Sequence, residues 1–460
     1  MRGNRFLRVF GMLLALALVA TACGSSDDVA DDVADDASAG DDASAGDAAD
    51  DDAAGGDGGS GECDDAVGCV EIASGAPINL GTLLVISGAD AALGLDSQNG
   101  AVLGVDYLDG ALDGEAGQIA GHDVQWQHED DLCSADGGQA GGEALAANPD
   151  IVAVIGTSCS SAALGVADVI MTNAGIPLIS SSNTGPALTG DDHQDFYLRT
   201  AHNDKIQGAI VSDFAYTEKG LTTAATINDE SPYADGLAAA FRSSFEDAGG
   251  TITSVEAITS TDTDFNNVLT AIAEDAPDVL YFPVFTAACS LIAKQAADIM
   301  PDTVLVSSDG CLSTGTIETA GDAVNGFFAS SPDLSVFAAG EFYAGDFLAA
   351  YEEQFGGAPT AVFHAHAFDA VGILAAAIEE IAIENDDGSL TIPRDGLREA
   401  LFATSGYEGL TGTITCLPSG DCATDVTIGI FEGPAWPVEG GEPDAAPVFS
   451  ETKSLADFGG

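Results

Sequence analysis

Basic side chains are scarce in these 460 residues: 11 Lys and Arg stand against 75 Asp and Glu, a formal charge of -64 at pH 7. A surface that neutralises a phosphate backbone needs clustered cations, so nucleic acid is excluded as a partner. Acidity on this scale bears on solubility and on screening by salt, and says nothing about fold. The sequence also lacks a G-x-x-x-x-G-K-[ST] phosphate loop and any C-x-x-C repeat. The GTSCS run at 156–160 lacks the closing glycine of a hydrolase nucleophile elbow. His364 and His366, two residues apart, point to different faces of a helix, which argues against a shared metal. No cofactor, no metal and no enzymatic activity are expected. What is present is an apolar share of 46%, ample for a large core divided among two or three units.

The N-terminus carries Arg2, Arg5 and Arg8, an apolar run over 9–19 too short to span a bilayer, and then small residues: the parts of an export signal. Ala20-Thr21-Ala22-Cys23-Gly24 resembles a bacterial lipobox, with Cys23 as the lipid attachment point, although Ala20 stands where Leu or Val is usual. The plain alternative is an ordinary cleaved signal, and either way the chain is expected outside the cytoplasm, by the first reading anchored to the membrane. Residues 24–62 are Asp, Ala, Gly and Ser almost throughout, unable to bury a core and self-repelling, and so predict an extended tether. Eight of the eleven basic residues and most acids lie beyond it, so the acidity belongs to the folded part too.

Setting Cys23 aside leaves eight cysteines, an even number in an exported chain, which predicts four disulfides. Cys63 and Cys69 are close neighbours, as are Cys416 and Cys422, while Cys133 with Cys159 and Cys289 with Cys311 are placed to bridge successive strand ends.

From residue 77 the pattern alternates short β-like runs with longer helical ones, the signature of parallel sheets covered by helices. Strands are expected at 78–86, 124–128, 151–155, 177–180, 223–227, 279–282 and 304–307, and long helices at 342–354 and 363–381. The fold class expected is α/β, two doubly wound lobes joined by a hinge. Residues 77–200 and 331–410 form the first lobe, 201–330 and 411–435 the second, and 436–460 a C-terminal tail. Open parallel sheets take ligands beyond the carboxyl ends of their strands. Two loops there are rich in small hydroxyls, Gly156-Thr157-Ser158-Cys159-Ser160-Ser161 and Ser180-Ser181-Ser182-Asn183-Thr184. They suit an anion held by hydroxyls and backbone N–H groups, although Ser and Thr at such places also cap helices.

Landmarks over residues 77–435 resemble the leucine/isoleucine/valine-binding proteins, the type I receptors of ABC importers: SGADAALGLDSQNGAVLGVDYLDG from Ser87, DDLCSADGGQAG from Asp130, VIGTSCSSAALGVAD from Val154, GIPLISSSNTGPALT from Gly175, FYLRTAHNDKIQG from Phe196, SPYADGLAAAF from Ser231 and SSDGCL from Ser307. The resemblance implies that Ser160 and Thr184 meet a ligand carboxylate. A backbone carbonyl of Asn183 or Ser182, together with the Asp309 carboxylate, then meets an ammonium group, and Tyr233 lines the second lobe. Phe285 falls near a family tyrosine, a change that removes a hydroxyl. Without the resemblance, Asp309 before Gly310 reads as a turn residue. A pairing of Cys133 with Cys159 is implied as well, as are permease and ATPase partners. The implied function is capture of an amino acid, branched-chain or similar, by closure of two lobes. The alternatives are a ligand-sensing receptor of the same fold, a binder of short amides or urea, and a purely structural surface protein.

Overall fold

The computed structural model describes residues 63–190, 193–337, 340–442 and 445–459. The export signal, Cys23 and the tether lie outside the described residues. Two sheets organise the rest. The first runs, in spatial order, Gln118–Ile119, His122–Asp130, Ile78–Leu84, Ile151–Gly156, Leu178–Ser180 and Tyr197–Arg199, with all neighbours parallel but the outermost Gln118–Ile119. The second runs Phe449–Ser454, Asp425–Glu432, Phe328–Pro332, Val304–Ser307, Val279–Tyr281, Thr223–Asn228 and Thr251–Ala257, with the first two strands antiparallel to their neighbours. In each sheet the first parallel strand of the chain lies between the second and third. The order therefore reverses beside Ile78–Leu84 in one lobe and beside Thr223–Asn228 in the other, and these are the crevices where doubly wound sheets bind ligands.

The strands form where the sequence is continuously apolar, because both faces are covered. Every residue of Ile151–Gly156 is buried. On one face of the first sheet Leu80, Val152 and Ile155 pack under helix His364–Ile381, and on the other Leu83 and Val154 meet Leu145, Val166 and Ile170. In the second lobe Leu237, Phe241 and Ile292 cover Ala224, Leu280 and Val306. Helix Ala91–Asp106 meets helix His364–Ile381 through Gly100, where an added Cβ would stand 1.9 Å from the His364 carbonyl oxygen. Only glycine permits that approach.

Three expectations about boundaries change. Residues 436–460 are no tail: Phe449–Ser454 adds an edge strand to the second sheet, and Trp436 is fully buried against Phe327. Residues 411–424 stay with the first lobe, where Ile414, Cys416 and Cys422 join its core and Cys422 N–H donates to the Arg199 carbonyl at 3.0 Å. The chain therefore enters the second lobe for the last time near Asp425. Finally, Cys69–Ile72, before the expected start of the lobes, pairs with Leu390–Pro393 on the first. The four disulfides form as paired above: Cys63–Cys69, Cys133–Cys159, Cys289–Cys311 and Cys416–Cys422.

Candidate functional site

The hydroxyl loops sit at the carboxyl ends of adjacent strands and brace each other. Ser180 Oγ accepts from the backbone N–H groups of Ser182 and Asn183 at 3.2 and 2.9 Å, and the Asn183 and Thr157 side chains hydrogen-bond at 3.0 Å. Ser182 Oγ donates to the Ser158 carbonyl at 3.0 Å. The first loop is held from two strands over, across Ile78–Leu84, by Asp131, whose carboxylate accepts from Ser158 N–H at 2.6 Å and Cys133 N–H at 2.8 Å. Burial raises Asp131 to about 7 against those N–H groups. Ser160 begins helix Ser160–Val166, but no side chain caps that helix; Ser160 Oγ instead accepts from Gly185 N–H at 3.3 Å. Helix capping therefore does not explain this serine.

Beneath the second loop lies Arg199, fully buried at the end of its strand. Its guanidinium donates to the carbonyls of Asn183 and Gly185 at 3.1 and 2.9 Å and pairs with Asp421 at 2.7 Å. The Asn183 carbonyl is thus already engaged, which leaves the Ser182 carbonyl as the freer of the two expected acceptors. Thr184 is buried, and its hydroxyl meets no partner but the Asp204 carboxylate.

The second lobe supplies Tyr233, Phe285 and Asp309. Ser231 caps helix Pro232–Asp247 by accepting from Ala234 N–H at 3.1 Å, and this sets Tyr233 in the first turn. The Tyr233 hydroxyl lies 2.6 Å from Ser308 Oγ and accepts from Gly310 N–H at 3.2 Å, while its ring lies 5.0 Å from that of Phe285. Both rings close over Gly310, where a Cβ would meet them at 3.1 to 3.2 Å. Asp309 accepts from Gln207 Nε2 at 2.6 Å. Burial raises its pKa, with the Gln207 bond opposing.

Sequence reasoning missed three residues of this floor: Asp204, Gln207 and His202. Asp204 is fully buried with the Thr184 hydroxyl beside its carboxylate, and burial, then the Asp309 charge, raise its pKa well above the ordinary range against the lowering effect of that hydroxyl. Gln207, one turn on, ties Asp309 to His202, whose Nε2 lies 2.6 Å from Gln207 Oε1. Burial lowers His202 to about 4, so the imidazole is neutral. All three lie within FYLRTAHNDKIQG, where the available signal was a cluster of polar residues directly after an apolar strand. Behind them, a cavity of about 90 Å³ is lined by His202, His366 and Thr411, among others, at the crossovers between lobes. Across the cleft, Gly236 abuts Pro186, and Thr360 accepts from Thr314 N–H at 3.2 Å while its own hydroxyl donates to the Ala92 carbonyl at 3.0 Å.

Residues 77–425 match the family model described as periplasmic binding protein. The chain belongs to that family. A Leu/Ile/Val-binding protein, BraC3, of Rhizobium johnstonii is 27% identical over 341 residues, covering 74% of this chain and 89% of that one. The leucine-, isoleucine-, valine-, threonine-, and alanine-binding protein of Pseudomonas aeruginosa is 25% identical over 54% of this chain and 64% of its own. Among solved structures, LivJ of Streptococcus pneumoniae in complex with isoleucine superposes with a TM-score of 0.68 at 24% identity, over 82% of this chain and 99% of that one. A solute-binding protein of R. palustris in complex with benzoate gives 0.66 at 21%, over 82% and 98%. These likenesses show the shared fold. Among the described residues no helix is long and apolar enough to cross a membrane.

Proposed function

We propose that this chain is the extracytoplasmic receptor of an ABC importer and captures an α-amino acid, branched-chain or similar, by closing its two lobes. One observation carries the reading: the Thr184 hydroxyl and the Asp204 carboxylate, buried with at most each other for a partner and with further donor and acceptor capacity unpaired, belong to the same strand-end site as Ser160, Tyr233 and Asp309. Folded proteins rarely leave such groups unpaired, so a ligand with both acceptors and donors is the natural partner. Ser160 and Thr184 on the first lobe take its carboxylate. The Ser182 carbonyl, Asp204 and Asp309 take its ammonium group, and Tyr233 and Phe285 cover its side chain. A charge-assisted pair at Asp309, shielded from water, is stronger than a neutral hydrogen bond. Because the contacts come from both lobes, the ligand favours the closed arrangement over the open one.

The permease and ATPase subunits are the implied partners, with Cys23 as the lipid anchor and residues 24–62 as the tether. A second reading draws on the same acids: burial holds Asp204 and Asp309 toward their neutral forms, which suits an uncharged donor such as a short amide or urea. A thermal-shift screen of residues 63–460 against amino acids, amides, urea and sugars separates the two. Stabilisation by one class of α-amino acid, lost in Asp309→Ala and Ser160→Ala, is the expected result. Stabilisation by amides alone points to the second reading, and silence from a folded protein contradicts both.

A further inference from the structure

Each lobe carries a disulfide between segments that leave the carboxyl ends of its parallel strands. Cys133–Cys159 joins the segments after His122–Asp130 and Ile151–Gly156, and the resemblance implied it. Cys289–Cys311 joins those after Val279–Tyr281 and Val304–Ser307, and nothing in the resemblance implied it. This second pair falls beside two residues of the site. Cys289 is the fourth residue of helix Thr286–Ile299, which starts directly after Phe285, and Cys311 follows Asp309 by two positions. Both cysteines are fully buried. Local hydrogen bonds shape each segment without placing it against the other: Cys289 N–H donates to the Phe285 carbonyl at 2.9 Å, Cys311 N–H to that of Ser308 at 3.0 Å and Leu312 N–H to that of Asp309 at 3.1 Å. Between the segments, Thr286 Oγ1 donates to the Gly310 carbonyl at 3.4 Å, a long hydrogen bond, and lies 2.9 Å from Ser313 Oγ. The Phe285 ring packs against Gly310, where a Cβ would stand 3.2 Å from it. Contacts of that kind can slide, whereas a covalent bridge holding the two α-carbons 5.7 Å apart cannot.

We propose that Cys289–Cys311 fixes the spacing between Phe285 and the Asp309–Gly310 turn, and so gives the second lobe's half of the cleft a wall of set width that discriminates amino acids by side-chain size. This rests on the amino-acid reading of the site, in which Tyr233 and Phe285 cover the ligand's side chain. A wall already in place does not have to be ordered when the ligand arrives, so the ordering cost is met in folding and not in binding. Such a wall also cannot widen or narrow to suit its guest. A fitted apolar pocket separates ligands that differ by one methylene by about tenfold or more, whereas a wall free to shift re-packs around several sizes, as adaptable surfaces do. The two cysteines are positioning residues and act through Phe285 and the turn.

Titration calorimetry with L-alanine, L-valine, L-leucine, L-isoleucine and L-phenylalanine tests this on the wild-type chain, on the double variant Cys289→Ala with Cys311→Ala, and on a control, Cys63→Ala with Cys69→Ala. The control bridge lies on the N-terminal segment that pairs with Leu390–Pro393. The wild type is expected to bind one size of side chain about tenfold or more tighter than the sizes on either side of it. Loss of Cys289–Cys311 is expected to weaken that preferred ligand by about tenfold and to shrink the spread of affinities across the five. Loss of Cys63–Cys69 is expected to lower the thermal midpoint and leave affinities and spread unchanged. A merely stabilising disulfide at 289 and 311 would behave like the control, so a wild-type spread retained in that variant overturns the proposal. A wild type that binds all five alike overturns it too, with the amino-acid reading intact. Should the variant not fold, crystal structures of the wild type with and without its preferred ligand decide: Phe285 and Asp309 are expected in the same relative placement to within about 1 Å, and a larger change between them overturns the proposal. No binding of any of the five by the folded wild type overturns the reading beneath and the wall with it.

Discussion

Arg199 sits where a charge is hardest to keep, fully buried at the end of an apolar strand. It is tolerated because Asp421 meets it at 2.7 Å and because three further acceptors use its remaining N–H groups. Removing one member of such a pair leaves an unpaired charge in a dry place. Asp421→Ala is therefore expected to lower unfolding stability by about 3–5 kcal/mol, measured by denaturant titration, and to loosen the loop that carries Asn183 and Thr184. The same residues show what could be read in advance. Ser160, Thr184, Tyr233 and Asp309 could be proposed in advance because the loops after strands are where a doubly wound sheet takes its ligand, and because a resemblance put names to positions. Asp204 and Gln207 could not, since an Asp in the first turn and a Gln one turn later look like ordinary helix residues; only tertiary packing shows that water does not reach them.

At the scale of elements, the parallel strands were legible because burial on both faces writes them as apolar runs, and 304–307 appears at the expected bounds as Val304–Ser307. Phe449–Ser454 was not, because it is an edge strand whose residues alternate between half-buried and exposed, and its composition is polar. The helix pair that covers the first sheet depends on a contact no periodicity reveals, Gly100 against the backbone of His364. Beside it, the Asp96 carboxylate accepts from the N–H groups of Phe363 and His364 at 2.9 Å and fixes the start of the second helix. Gly100→Ala must push the helices apart. The expected cost is about 1–3 kcal/mol, read from thermal or denaturant unfolding, whereas Gly345→Ala, with open space around its α-carbon, should leave the midpoint nearly unchanged.

The whole molecule carries its acidity inside as well as outside. Asp131 is raised to about 7, and Asp90 and Asp369 to about 6, in each case chiefly by burial. A carboxyl whose folded-state pKa lies above its unfolded value favours the folded state at low pH, and that contribution is lost as pH rises through the folded pKa. His202 and His366, lowered by burial from 6.5 to about 4 and about 3, act in the opposite sense from pH 6.5 downward and so offset part of this gain at pH 6. Repulsion among the surface charges of a chain at -64 eases in the same direction as the carboxyls, and salt screens it. The thermal midpoint should accordingly be higher at pH 6 than at pH 8, and should rise with salt at pH 8. A midpoint that falls from pH 8 to pH 6 contradicts the assignment of buried, proton-holding carboxyls.

The central claim is that two lobes meet one amino acid, with its carboxylate on the first and its ammonium group between the acids of the cleft floor. A crystal structure of residues 63–460 grown with the amino acid that gives the largest thermal shift tests this most directly. The account predicts the ligand carboxylate within hydrogen-bond distance of Ser160 and Thr184, and its nitrogen beside Asp204 and Asp309 under Tyr233. A ligand seated in the hinge cavity beside His202 and His366, or turned so that its carboxylate faces Asp309, would contradict it.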